Sequence, residues 1–173
     1  EGMAYMPIKG APNLPMYPIS MIVGDMAEME VSVIKSEYVD FENVEVAPSK
    51  GNFSRQIKPE DVPYEYGEMY QQDAFYPAQQ AVLGDPYILR DFRGQNVMVY
   101  PYAYNPVAKT LRVYTYLRIE SKKVSDNGVN RKLNRKRSNV VDSEVNTSYK
   151  RRFINYPKNE RYAFVEDEGE MLI

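Results

Sequence analysis

The sequence predicts a mainly β protein, an antiparallel β-sandwich or barrel-like domain with one C-terminal α-helix. Three observations lead there. The chain is rich in residues that suit extended backbone, with 16 Tyr and a large share of Val and Ile. Its 12 Pro, together with Gly, Asn and Asp, cut it into short runs bounded by turn formers. Apolar and polar residues alternate with period two along most of these runs, and only one stretch, near the C-terminus, carries a helical period.

The elements follow in order. Over 26–34, Ala27, Met29, Val31 and Val33 fall on one face and Glu28, Glu30 and Ser32 on the other, which predicts a strand. Val39, Phe41, Val44 and Val46 predict a second strand, with a change of phase at Glu42-Asn43 that fits a bulge. The apolar stretch Tyr87-Ile88-Leu89 leads into Arg93-Gly94-Gln95, read as a turn. Residues 96–104 place Val97, Val99 and Ala103 opposite Met98, Tyr100, Tyr102 and Tyr104, and Pro101 marks an edge or an irregularity there. The clearest strand is 110–120, with Leu111, Val113, Leu117 and Ile119 inward and Arg112, Tyr114, Tyr116 and Arg118 on a wet face. The turn signal Asn105-Pro106-Val107-Ala108-Lys109 joins these last two into a hairpin over 96–120. A polar, basic connection follows over 121–141, with a turn at Asp126-Asn127-Gly128. The helix comes last: Asp142 or Ser143 caps it, Val145, Tyr149 and Phe153 recur every four residues, Arg151 and Arg152 suit its negative end, and Pro157 stops it.

Composition narrows the chemistry. The 173 residues are 43% hydrophobic and 27% charged, which suits one folded domain. A net charge of −2 gives no overall pull toward nucleic acid. With no Cys there are no disulfides, thiolate metal sites or cysteine nucleophiles, and with no His there is no imidazole base. No cofactor is expected. No apolar run approaches the roughly 18 residues of a membrane-spanning helix, so no membrane insertion is expected.

Four local patterns have both a functional and a plain reading. The run 131–137 holds five cations in seven residues, but it lacks interleaved aromatics, and a solvated, protease-sensitive loop is the simpler account. Tyr100, Tyr102, Tyr104, Tyr114 and Tyr116 would form a stacking platform if they shared an outer face, as in a secreted adhesin or carbohydrate-binding module; cross-strand tyrosines more often stabilise a sheet. Asp85 and Asp91 have the residue type of a glycosidase pair, but Asp85-Pro86 is better explained as turn initiation. The segment 49–61 is long for a hairpin connection and displays Arg55 among small and polar neighbours, the kind of forked donor that fills an acidic pocket. From physics alone, a solvated loop arginine is the simpler reading.

The order of short motifs changes those weights. Ala47-Pro48-Ser49-Lys50-Gly51, Ser54-Arg55, Val62-Pro63-Tyr64 with Tyr66-Gly67, and Asp85-Pro86-Tyr87-Ile88-Leu89-Arg90-Asp91 occur in that sequence. Arg93-Gly94-Gln95 follows, then the run from Tyr104-Asn105-Pro106 to Val113-Tyr114-Thr115, then Ser148-Tyr149-Lys150 with Phe153-Ile154-Asn155-Tyr156. This series resembles the N-terminal prodomain of gingipain-type cysteine peptidases, most closely the arginine-specific ones. It is dense over 44–116, patchier over 121–147, and departs from the pattern at 131–137.

The resemblance implies a β-sandwich prodomain of a secreted peptidase, exported to the periplasm, outer-membrane surface or exterior of a bacterium. Such a prodomain keeps its own precursor's catalytic domain latent and assists its folding. The resemblance also implies that Ser54, Arg55 and Gln56 form the inhibitory element, with Arg55 in the S1 pocket. Processing would follow Arg161, with Tyr162 as the new start, so that 1–161 is the prodomain, lacking its N-terminal strands, and 162–173 opens the catalytic domain. The missing Cys and His would then lie downstream. Lys50 and Lys58 flank Arg55 and leave a lysine preference open.

Overall fold

The structure, a computed structural model, describes residues 4–133 and 143–156. Eight strands and one α-helix follow in chain order among those residues: β1 Ala4–Tyr5, β2 Pro15–Val23, β3 Glu28–Phe41, β4 Ala81–Leu83, β5 Tyr87–Leu89, β6 Phe92–Val99, β7 Tyr102–Asn105, β8 Thr110–Ser125 and α1 Ser143–Arg152. One sheet runs β1-β2-β6-β4 with β5 paired to β6, and the other runs β3-β8-β7. The expected mainly β architecture with a single helix is what forms.

The alternation read over 26–34 holds. Met29, Val31 and Val33 are half-buried and Glu28, Glu30 and Ser32 are not. The second strand expected over 39–46 does not exist as a separate element. β3 continues unbroken to Phe41 and ends where Asn43 turns to a φ of 59°, a left-handed conformation that Asn tolerates. The change of phase was the strand's end.

The expected strand over 96–104 divides into β6 and β7, which lie in different sheets. Pro101 sits at the division, where its missing N–H cannot join a ladder. The hairpin is therefore β7–β8, antiparallel, with Asn105 opposite Thr110. Asn105 shapes its turn by accepting the Val107 and Ala108 N–H groups on Oδ1, both at 3.1 Å. β8 also runs on to Ser125, into the stretch read as a polar connection.

Arg93-Gly94-Gln95 is strand, not turn. It lies inside β6 and is buried, and the turn falls earlier, at Arg90-Asp91, because Leu89 pairs with Phe92. Gly94 is required there: a Cβ would come within 2.7 Å of the Tyr87 ring and 2.8 Å of Phe153.

The described residues gather into two compact units, one of 4–18, 31–82 and 98–121, the other of 19–30, 83–97 and those beyond 121. In the first, Met6, Leu14 and Tyr104 are buried, with Met16 from one sheet and Tyr102 and Leu111 from the other packed against them. That contact of facing sheets is the sandwich core. In the second, Phe92, Tyr149, Phe153 and Tyr156 form an aromatic core with Val145 beside it. The helix face of Val145, Tyr149 and Phe153 is thus the buried one, as its spacing predicted. Of the two expected caps, Ser143 is the first residue of the helix and Asp142 lies outside the described residues, as does the expected stop, Pro157; the helix ends at Arg152.

Candidate functional site

The segment 49–67 is pinned at both its ends to one residue, Gly10. The Gly10 N–H donates to the Ser49 carbonyl at 2.9 Å, and the Gly67 N–H donates to the Gly10 carbonyl at 3.0 Å. The loop neck closes this tightly only with glycine: Gly10 has a φ of +80°, and a Cβ on it would stand 3.1 Å from the Gly67 nitrogen. Beside this point, Ser49 donates to Ala11 and Asn13 donates to Ala47, so the strand-like edges 10–13 and 47–49 anchor the loop's base.

A second tie crosses the neck. The Lys50 ammonium donates to the Pro59 carbonyl at 2.7 Å and stands 4.3 Å from the centre of the Tyr64 ring. Pro59 opens a short 3-10 turn, Pro59–Asp61, whose fixed φ suits its first position. Lys9 and Glu65 pair at 2.7 Å, but both are more than half exposed, so that contact is worth little.

At the tip, the Ile57 N–H donates to the Ser54 carbonyl at 3.0 Å, closing a β-turn. The Ser54 hydroxyl accepts the Gln56 N–H at 3.3 Å, the local bond that makes Ser a frequent first residue of such turns. Arg55 and Gln56 are therefore the two corner residues, and every residue over 52–60 is exposed. Among the described residues, no hydrogen bond, ion pair or ring contact engages the Arg55 guanidinium. Phe53 and Ile57, 37% and 45% exposed, flank it as apolar surface. Between Ser49 and Pro59 the chain carries Lys50, Arg55 and Lys58 and no carboxylate, so the tip is uniformly basic.

Of the residues singled out in the sequence, Ser54, Arg55 and Gln56 fall together in this turn. Arg161 and Tyr162 lie outside the described residues, as do 134–137 of the basic run. Within that run Lys132 is buried and its backbone N–H donates to the Asp25 carbonyl at 2.9 Å, while Arg131 and Leu133 on either side of it are exposed. The roles of the glycines at 10, 51 and 67 and the bracing role of Lys50 escaped sequence reasoning; the signal was a glycine near each end of the loop, with Gly10 facing Gly67 and Gly51 facing Lys9.

The tyrosine platform does not form. Tyr104 is 3% exposed, donates to the Val44 carbonyl at 2.9 Å and belongs to the core, while Tyr100 and Tyr102 pack against that core. Tyr114 meets Tyr38 edge-on at 5.8 Å across β3–β8, the stabilising cross-strand pair. Asp85 lies in the connection ahead of β5 and Asp91 in the β5–β6 turn. Among the described residues, no helix is long and apolar enough to cross a membrane.

Comparison with known proteins places this geometry. A family model described as Propeptide_C25 matches residues 2–164. The chain is 41% identical over 184 residues to gingipain R1 of Porphyromonas gingivalis, covering 100% of this chain and 18% of that protein. It is 40% identical over 167 residues to gingipain R2 of the same species, covering 95% of this chain and 22% of that protein. The chain thus spans about a fifth of those relatives. Among solved structures, it resembles the complex of P. gingivalis RgpB pro- and mature domains, with a TM-score of 0.79, 37% identity, and coverage of 90% of this chain and 77% of that one. It shares the fold of a structure describing zymogenic latency of gingipain K, with a TM-score of 0.60, 21% identity and 71% coverage of each chain. The match over nearly the whole chain, with identity above 40% to gingipain R1, makes this protein a member of the Propeptide_C25 family, a gingipain-type prodomain without catalytic residues of its own.

Proposed function

We propose that this prodomain is a tethered inhibitor of the cysteine peptidase domain of its own precursor, with Arg55 seated in that enzyme's S1 pocket. The observation that carries the reading is an exposed guanidinium, without a partner among the described residues, at the corner of a β-turn on a loop pinned at its base. A planar guanidinium meets a pocket carboxylate through two parallel hydrogen bonds, and a desolvated contact of that kind can dominate an interface. Of the flanking cations, Lys50 is engaged inside the loop, which favours Arg55 as the inserted residue.

Peptidases read extended peptides, and Arg55 sits in a turn. Displacing the Arg55-Gln56 bond from attack geometry by even an ångström slows its cleavage by orders of magnitude. The tether supplies the rest. At an effective concentration of order mM, a Kd near about 1 μM keeps the pocket almost fully occupied. Processing after Arg161 removes that advantage, so that 1–161 is released as prodomain and 162–173 begins the enzyme. The same binding energy, realised only on the native catalytic domain, would assist its folding. The setting is an exported precursor in the periplasm, at the outer-membrane surface or outside a bacterium.

Two outcomes are expected. Arg55→Ala should raise the inhibition constant against the mature peptidase by at least about tenfold with unchanged urea unfolding, a loss typical of an interface hot spot; an unaltered constant would remove Arg55 from the pocket. N-terminal sequencing of the mature enzyme should read from Tyr162, and a start elsewhere moves the processing site.

A further inference from the structure

We infer that Lys50 is the positioning residue that keeps the Arg55 loop a blocker rather than a substrate. The inference rests on the inhibitory reading of Arg55 and adds to it the device that prevents cleavage.

The bond from the Lys50 ammonium to the Pro59 carbonyl, 2.7 Å, closes residues 51–58 into a ring whose far side is the turn at 54–57. The Tyr64 ring, 4.3 Å away, fixes the ammonium from a second direction. To be cut after Arg55, the turn must open into an extended strand. A β-turn holds its first and fourth Cα atoms within about 7 Å, while the same three steps fully extended span about 10 Å. That gain has to come from the flanks. Behind Arg55 the flank is Gly51, which turns the chain beside Lys9 with a φ of +73°. Ahead of it, the flank is Pro59, held by Lys50 and by the 3-10 turn that Pro59 begins. With the ammonium in place, the neck cannot widen, and the loop presents the guanidinium without presenting the peptide bond. Lys9, a neighbouring exposed cation that pairs with Glu65, does not span the ring and serves as the control.

The test uses the full chain with Lys50→Met, Lys9→Met, Tyr64→Leu and Arg55→Ala. Each is incubated with the mature peptidase of the precursor and, separately, with trypsin; cleavage of the Arg55-Gln56 bond is followed by mass spectrometry in the variants that keep Arg55, and the inhibition constant is measured for all. Lys50→Met is expected to inhibit at first within about threefold of the wild type. Its block should then decay, as Arg55-Gln56 is cut at least about tenfold faster by both enzymes, with thermal unfolding unchanged. Tyr64→Leu should move the same way by a smaller factor and keeps the test valid if Lys50→Met misfolds; Lys9→Met should match the wild type. Cleavage at Arg55-Gln56 within twofold of wild type for both Lys50→Met and Tyr64→Leu would overturn the proposal. An unchanged inhibition constant for Arg55→Ala marks instead a failure of the pocket assignment, which the tryptic rates separate from a failure of the clamp.

Discussion

Arg93 is 1% exposed, and its guanidinium is spent entirely on backbone. Nε donates to Asn130 at 3.0 Å, Nη1 to Gly24 and Ala27 at 2.9 and 2.8 Å, and Nη2 to Val129 at 2.8 Å. One side chain thus satisfies four carbonyls from two connections, those on either side of residues 24–27 and 129–130. Burial pulls its pKa down and the nearby charge of Asp25 opposes that. Gly128 packs against it, since a Cβ there would lie 2.8 Å from Nη2 and 2.2 Å from the Ala27 carbonyl oxygen. Arg93→Met should cost more than about 3 kcal/mol in urea unfolding, because each orphaned buried acceptor costs about 1–3 kcal/mol. Arg93→Lys should recover little, since a point ammonium cannot fork to four acceptors. A loss below about 1 kcal/mol would show that water replaces the guanidinium. Arg55 and Arg93 are the same residue type with opposite fates, and the difference is whether carbonyls surround them.

At the scale of elements, β3 and β8 are joined on their wet face by side chains as well as by backbone. Arg112 Nε and Nη2 each donate at 2.8 Å to the two oxygens of Asp40, and the guanidinium lies between the Tyr38 and Phe75 rings, 3.8 and 4.1 Å from their centres. Those hydrogen bonds hold the Asp40 carboxyl below its ordinary range. A carboxyl that binds its proton less tightly folded than unfolded adds stability above its unfolded pKa of about 3.9 and gives it up as pH falls through the lowered folded value. The wild type should therefore melt higher than Asp40→Asn at pH 7, and the gap should shrink as thermal melts are taken below about pH 4. A gap independent of pH would mean that Arg112 is held by its two rings alone. The other sheet protects its edge differently. Beyond the two residues that β1 covers, Asn155 accepts the Ile22 N–H at 2.7 Å and donates to the Ile22 carbonyl at 2.8 Å, and Ile154 donates to Ser20. The segment after the helix so closes backbone groups that would otherwise recruit a foreign strand.

At the scale of the whole molecule, five strands, β2, β3, β4, β6 and β8, contribute residues to both compact units, so neither unit is a separable module of sequence. The loop over 49–67 belongs wholly to the first unit. Its neck draws on residues 9–11, some forty positions before Arg55, which is why the tip could be read locally and its fixation could not. A prodomain role also accounts for a chain with neither Cys nor His.

What the sequence determined by itself was whatever repeats along the chain or is local to a few residues. The alternation at the start of β3, the four-residue spacing of Val145, Tyr149 and Phe153, the turn at Asn105, and the exposed Ser54-Arg55-Gln56 element with its family resemblance all belong there. The tertiary structure alone decided the rest: that Pro101 parts two sheets, that Arg93-Gly94-Gln95 is buried strand, that Tyr104 faces the core, and that Lys50 braces Pro59. Periodicity reports which face of an element is dry. It does not report which distant carbonyls will surround a polar side chain, and for arginine, lysine and tyrosine that is what separates a core residue from a displayed one.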